Sequence, residues 1–218
     1  IGVSVTTLNK VYGAGFIPKI GIMRGMLCPV DAKGIYIATE KIDGNRRIIM
    51  NKQSGVEIYT RSGHRDDGLV EIAEQAEKYL PKGFVYDTEC VATGDYADNI
   101  ELRTASASIL NRRIGIKTGV KALMFDMLTQ EEYDAGQSKM AAIFRKYLIA
   151  YMYMDTNGMT TLYDLMTDAQ RIAIDKYISG IFNGKTITGT KNIIGLPILG
   201  IVHNKQEGIA LAKPIWET

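Results

Sequence analysis

Seven consecutive residues could do covalent chemistry: Glu40-Lys41-Ile42-Asp43-Gly44-Asn45-Arg46. Lys41 follows the β-prone run Ile35–Thr39, and Asp43-Gly44 is a turn pair that reverses the chain at once. Such a turn is expected to return Arg46 close to Lys41. A lysine beside a second cation gives up its proton more readily and becomes a neutral amine nucleophile. The planar fork of Arg46 suits a phosphate or a ribose hydroxyl. Six residues also match by chance, and alone they read equally well as an Asp-Gly hairpin with solvated Lys and Arg at its base.

Further segments follow in order. Thr60-Arg61-Ser62-Gly63 comes after a hairpin, and Val85-Tyr86-Asp87-Thr88-Glu89-Cys90-Val91 puts a glutamate inside an apolar strand. Ala122–Leu128 (ALMFDML) carries Phe125-Asp126, and Glu207-Gly208-Ile209-Ala210-Leu211 is followed by Ala212 and Lys213. Taken singly, these are a turn, an outward-facing strand glutamate and a core strand. Their order and spacing between Lys41 and Lys213 make coincidence improbable.

Lys-x-Asp-Gly-x-Arg resembles the signature of the covalent nucleotidyltransferases, which comprise ATP-dependent DNA ligases, RNA ligases and mRNA capping enzymes. Thr60–Gly63 resembles that family's Ser/Thr-Arg-x-Gly element, and Asp87-Thr88-Glu89 resembles Asp-Gly-Glu, with Thr88 in place of Gly. The strand ending in Phe125-Asp126 resembles the fourth element. Glu207–Leu211 resembles the fifth, with Ala212 where the basic residue belongs and Lys213 one position later. Arg61-Ser62-Gly63 and Arg103-Thr104 look more like DNA ligases than capping enzymes. The resemblance covers Met26 to Lys213.

The resemblance implies an ATP-dependent DNA ligase adenylation domain with the α+β nucleotidyltransferase fold, antiparallel sheets flanked by helices around a nucleotide cleft. It implies that Lys41 attacks the α-phosphate of ATP, with Mg²⁺ as cofactor. AMP then passes to the 5′-phosphate of nicked double-stranded DNA, and the nick is sealed. It puts Glu40, Ile42, Arg46, Arg61, Glu89, Phe125 and Lys213 on the nucleotide, with Phe125 stacked on the adenine. It puts Glu207 and Glu89 on the metal. The family carries a Lys-x-Lys element and an OB-fold domain further on. Neither is in these residues, so residues 1–218 are expected to be an adenylation domain acting as a monomer, with slow catalysis and poor sealing. An RNA ligase is the enzymatic alternative, and a non-catalytic nucleic-acid-binding module is the alternative of another class. An NAD⁺-dependent ligase is disfavoured, because those enzymes usually lack the arginine at position 46 and carry a recognition domain before the lysine.

The elements that must position these residues follow from patterning. Arg47–Asn51 and Val56–Thr60 form a hairpin across the turn Asn51–Gly55. Leu69–Leu80 reads as a helix with Leu69, Ile72, Ala73, Ala76 and Leu80 on one face, capped by Asp66 or Asp67 and stopped by Pro81. Phe84–Ala92 and Lys121–Leu128 read as strands, and Leu102–Leu110 as a short helix. Ser138 and Thr167 or Asp168 are candidate caps for helices reaching about Tyr151 and Phe182. Ile193–Val202 and Gly208–Leu211 read as closing strands, and residues 1–33 as a loosely structured lead-in. Hairpins mixed with helices, without a βαβ rhythm, predict α+β rather than a doubly wound fold.

The 218 residues suffice for one well-buried domain or two small ones. A net charge of +2 does not itself predict a nucleic-acid partner. Arg112, Arg113, Lys117 and Lys121 are nonetheless candidate phosphate contacts. Cys28 and Cys90 form no Cys-x-x-Cys pair, which argues against a zinc module and for a reduced, cytoplasmic setting. No apolar run is long enough for a membrane span. His64 and His203 are expected to be structural.

Overall fold

The computed structural model describes residues 3–14, 16, 34–182 and 190–216. Its order is α1 (Val5–Tyr12), β1 (Tyr36–Thr39), β2 (Asn45–Lys52), β3 (Gly55–Thr60), α2 (Val70–Tyr79), β4 (Phe84–Ala92), α3 (Asn99–Leu110) and β5 (Val120–Thr129). Then come α4 (Gln130–Ala135), α5 (Ala142–Met152), α6 (Thr156–Asp164), α7 (Asp168–Phe182), β6 (Ile193–Gly195), β7 (Ile198–Val202) and α8 (Lys205–Trp216). Five strands form one sheet in the order β3-β2-β4-β5-β6, and β1 pairs with β7 in a second. All pairings are antiparallel except β5 with β6. The predicted α+β class with antiparallel sheets flanked by helices is therefore the class observed.

Alternation along β2 and β4 sorts the large sheet into two faces. Ile49 and Tyr86 point to the main core, where they meet Ile72 and Ala76 of α2, Leu110 of α3, Met124 of β5 and Leu148 of α5. The opposite face carries Arg46, Ile48 and Met50 from β2 with Val85, Asp87 and Glu89 from β4, and its apolar part is a small cluster of Ile48, Met50 and Val85. Arg46, Asp87 and Glu89 thus cluster at one end of this face, while Arg47 turns to the other face and pairs with Asp66.

β5 breaks the alternation. Its register with β4 shifts between Asp87 and Thr88, pairing Asp87 with Asp126 but Thr88 with Met124. Phe125 is the extra residue. This bulge puts Phe125 and Asp126, neighbours in sequence, on the same face as Arg46 and Asp87.

Several expectations are corrected. Neither Asp66 nor Asp67 caps α2, whose N-cap Leu69 makes no side-chain hydrogen bond. Asp66 is instead buried between Arg47 and Lys117, and Asp67 pairs with Arg65. Helix α3 starts earlier than predicted, at Asn99, because Asp98 caps it by accepting from the Ile100 and Glu101 amides. Ser138 caps nothing. Its hydroxyl donates towards Glu132, and α5 begins only at Ala142. Thr167 does cap α7, accepting from the Gln170 amide at 3.3 Å. Pro197, which has no amide hydrogen, divides Ile193–Val202 into β6 and β7 of different sheets. Gly208–Leu211 is helical rather than extended, because Asn204 Oδ1 accepts from the Glu207 amide at 2.9 Å and starts α8. The lead-in contains α1, capped by Ser4, and residues 17–33 with Cys28 lie outside the described residues. No described helix is long and apolar enough to cross a membrane.

Candidate functional site

Glu40–Gly44 links β1 of the small sheet to β2 of the large one. Lys41 is presented there almost bare, its side chain 86% exposed, with Nζ donating to Asp43 Oδ1 at 3.2 Å. Asp43 Oδ2 stands 3.8 Å from Arg103 Nη1 of α3. Gly44 does not adopt a left-handed φ, so turn geometry is not what requires glycine. Close approach is: a Cβ there would come 2.6 Å from Val91 Cγ1 and closer still to the Cys90 carbonyl oxygen. The start of β2 therefore lies flush against β4, and Gly44 N–H donates to the Glu89 carboxylate.

Arg46 is committed to Asp87. As the second residue of β2 it turns onto the charged face, opposite Glu89 in the ladder, and forks onto Asp87. Nε donates to Oδ1 at 2.7 Å and Nη2 to Oδ2. The carboxylate holds the Arg46 guanidinium above its ordinary pKa. Burial pushes Asp87 up, with Arg46 opposing it. The two-point geometry requires both charges, so we take the pair as ionised. Arg46 thus pairs with Asp87 and the Lys41 ammonium with Asp43, while both cations act on the Glu89 carboxylate.

Glu89 is the half-buried carboxylate of this cluster. Burial raises its pKa, while the Gly44 amide, Arg46 and Lys41 pull it down. Phe125, delivered by the bulge, lies under two cations. Arg46 Cζ is 5.2 Å and Lys146 Nζ 5.9 Å from its ring centroid. Lys146 also donates to the Phe125 carbonyl, and burial lowers its pKa. Arg145 forks onto Asp126 through Nε at 2.8 Å and Nη2 at 3.1 Å. Sequence reading missed Arg145, Lys146 and Asp126 as members of this cluster. A basic pair in a helix facing an acid on a neighbouring strand leaves no local signal.

An open groove of about 1420 Å³ continues from Arg46 and Glu89 over the Thr60–Gly68 and Leu110–Lys117 loops, with Arg61, Arg112 and Arg113 on its walls. Arg61 sits in a tight turn, closed by the Gly63 amide donating to the Thr60 carbonyl at 3.0 Å and by Gly63 at φ 86°. Lys117 lines the groove floor, but its ammonium is committed to Asp66 and to the Leu110 carbonyl rather than left for a phosphate. It is buried on Asp66, which Arg47 also pairs.

The fifth sequence segment is placed differently. Glu207 lies beyond Val202, which pairs with Tyr36, whereas Lys41 leaves the opposite end of β1 at Thr39. Both Glu207 oxygens are engaged, Oε2 by the His203 amide at 2.8 Å and Oε1 by Asn204 Nδ2 at 2.7 Å. The structure does not bring Glu207 to Lys41. Lys213 lies in the last turn of α8, which folds back along β7 with Leu211 against Gly200. Glu40 is exposed and Ile42 half-buried, flanking Lys41 in the same link.

Among the described residues, no group of three or more His, Cys, Asp or Glu is arranged to hold a metal. Glu89, at the end of the groove, has the oxygen donors that suit Mg²⁺, which takes one or two carboxylates together with substrate phosphates and water. Glu207 lies apart from it, its two oxygens accepting from the His203 amide and Asn204 Nδ2.

No family model matches the chain, and no curated protein does. Solved structures do. One named Pmar-Lig_PreS3 aligns with a TM-score of 0.52 at 19% identity, over 84% of this chain and 35% of that one. One named Pmar-Lig_Pre. aligns with a TM-score of 0.51 at 18% identity, over 84% and 35%. A mycobacterial DNA ligase D complexed with ATP and MES aligns with a TM-score of 0.43 at 16% identity, over 91% and 52%. The chain spans about a third of the length of the first two. The likeness is one of fold, and it is the ligase nucleotidyltransferase fold that the sequence predicted.

Proposed function

We propose that this chain is the adenylation domain of an ATP-dependent DNA ligase. The observation that carries this is Lys41 of Lys-x-Asp-Gly-x-Arg, exposed on a link that Gly44 presses against the Glu89 strand, with Phe125 bulged onto the same face.

In this reading ATP is the substrate. Asp43 Oδ1 orients the Lys41 amine, and once its proton has passed to solvent the Nζ lone pair attacks the α-phosphorus. A nitrogen–phosphorus bond forms, the bond from the α-phosphorus to the bridging oxygen breaks, and pyrophosphate leaves. Arg46 and Arg61 clamp developing charge through their planar forks. The Phe125 ring takes the adenine as a flat apolar surface. Glu89 would hold Mg²⁺, which would neutralise phosphate charge. AMP then passes from Lys41 to the 5′-phosphate of a nick in duplex DNA, and attack by the 3′-hydroxyl expels AMP and seals the strand. An RNA ligase would share the lysine motif and is separated by testing nicks with DNA or RNA on the 3′ side.

The test is incubation with α-labelled ATP and Mg²⁺, followed by denaturing electrophoresis. One acid-labile label should appear, with ATP far ahead of GTP or NAD⁺. Lys41→Ala should abolish it and change stability by less than about 0.5 kcal/mol, as an exposed side chain allows. Wild-type labelling of Lys41→Ala would overturn the assignment.

A further inference from the structure

At the floor of the basic groove the Asp66 carboxylate lies between two cations. Oδ2 accepts from Arg47 Nε at 2.9 Å and Oδ1 from Lys117 Nζ at 2.6 Å. The three side chains are 4–7% exposed. Both cations also donate to the Leu110 carbonyl, each at 3.1 Å. Leu110 ends α3, whose last turn has no basic residue of its own. Arg47 and Lys117 therefore supply positive charge at the negative end of that helix. The backbone repeats the link. Lys117 N–H donates to the Gly68 carbonyl at 2.8 Å, and a Cβ on Gly68 would come 2.7 Å from the Gly115 carbonyl oxygen. The loops at 61–68 and 111–117 are thus locked back to back.

The lock has more cation than its acid needs. Arg47 alone would neutralise Asp66, and burying Lys117 as well costs desolvation that stability alone does not call for. What Lys117 adds is a tie to the far end of the loop carrying Arg112 and Arg113. Those two guanidiniums and Arg61 line the groove, and among the described residues no carboxylate pairs with any of them. Arg65, by contrast, is held by Glu57 and Asp67. Three unneutralised guanidiniums along an open groove suit the repeated phosphates of a polynucleotide.

We propose that the Arg47–Asp66–Lys117 lock is a positioning device for a nucleic-acid strand: it holds the 111–117 loop so that Arg112 and Arg113 take backbone phosphates in the groove that Arg61 also lines. The choice of a polynucleotide rests on the ligase reading, whereas the lock itself does not. Lys117 and Arg47 act through the loop and touch no phosphate.

The experiment measures binding of nicked duplex DNA over a series of salt concentrations and reads the slope of log affinity against log salt. Each phosphate contact contributes about 0.9 to that slope. Lys117→Met should lower it by about two contacts, although no groove-lining guanidinium is removed. Arg112→Ala with Arg113→Ala should lower it by the same amount, and adding Lys117→Met to that pair should lower it no further. A Lys117→Met protein that melts earlier but keeps the wild-type slope overturns the proposal, because a purely structural lock does just that. If Lys117→Met does not fold, the exposed arginine pair decides, and an unchanged slope overturns the proposal. The ligase reading is scored separately on the wild type. No covalent label with the expected slopes sinks that reading and keeps the groove, and a label with unaltered slopes does the reverse.

Discussion

Replacing Gly44 with alanine tests whether close packing, rather than turn geometry, is what the signature's glycine provides. The new methyl would stand 2.6 Å from Val91 Cγ1 and 3.1 Å from the Cys90 carbonyl carbon, against ordinary contacts of roughly 3.5–4 Å. The start of β2 must therefore retreat from β4 by about 1 Å. Overpacking of this kind costs about 1–3 kcal/mol. Weakening the Gly44 amide's bond to the Glu89 carboxylate adds about 1–2 kcal/mol, the worth of a hydrogen bond to a charged group when partly kept. The total is about 3 kcal/mol, which for a chain of this size lowers Tm by on the order of 10 °C. A shift of 1 Å at the reacting group can cost about 100-fold in rate, so Lys41 labelling should fall by more than stability alone explains. The assay is thermal unfolding and labelling rate, both measured well below the variant's Tm. Gly180→Ala is the control: its Cβ meets nothing within 4 Å and its φ is not left-handed, so it should stabilise α7 by about 0.5–1 kcal/mol. Wild-type Tm and labelling in Gly44→Ala would refute the packing argument.

Two further outcomes are expected. Burial raises the Glu89 pKa in the fold, so the folded protein holds that proton to higher pH than the unfolded chain does. Its contribution to stability therefore falls as pH rises from the ordinary carboxylate range through the raised value, then levels off. Glu89→Gln removes this fall: its Tm should gain on wild type as pH goes from acid to neutral while labelling collapses. A difference in Tm that does not change with pH would contradict this. Burial pushes the Cys90 thiol up to about 12, so it should resist thiol reagents in the folded protein and react only on unfolding, as followed by mass spectrometry of the peptide containing it.

The strands were readable because local alternation writes them. Phe84–Ala92 appears as predicted, and Val120–Thr129 extends the predicted strand by one residue at each end. The bulge at Phe125 was not readable, because period-two alternation places neighbours on opposite faces and only the register with β4 reveals the extra residue. Asp66 before an apolar periodic run has every local mark of a helix cap, and it lost that role to two cations brought from elsewhere in the chain. Glu207-Gly208 read as strand because apolar residues follow it, but those residues also fit helical spacing, and Asn204 settles the choice. Lys41 stood out in sequence as a nucleophile. That its partner is Asp43, with Arg46 carried off to Asp87, depends on which way β2 faces.

The link carrying Lys41 is strung between two sheets whose strand partners lie at very different distances along the chain. β2 finds β3 and β4 among residues made soon after it, whereas Tyr36 of β1 must wait for Val202. Pairing across so long an intervening chain is slow, since the entropy of closing the loop is lost before the contacts reward it. A nascent chain emerging from the ribosome can therefore build the β2-β3-β4 core early and still lack an anchored link at Glu40–Gly44. Nucleotide reactivity would arrive late, as a mark of completed folding, and a pulse of labelled ATP during translation would time the closing of β1 on β7.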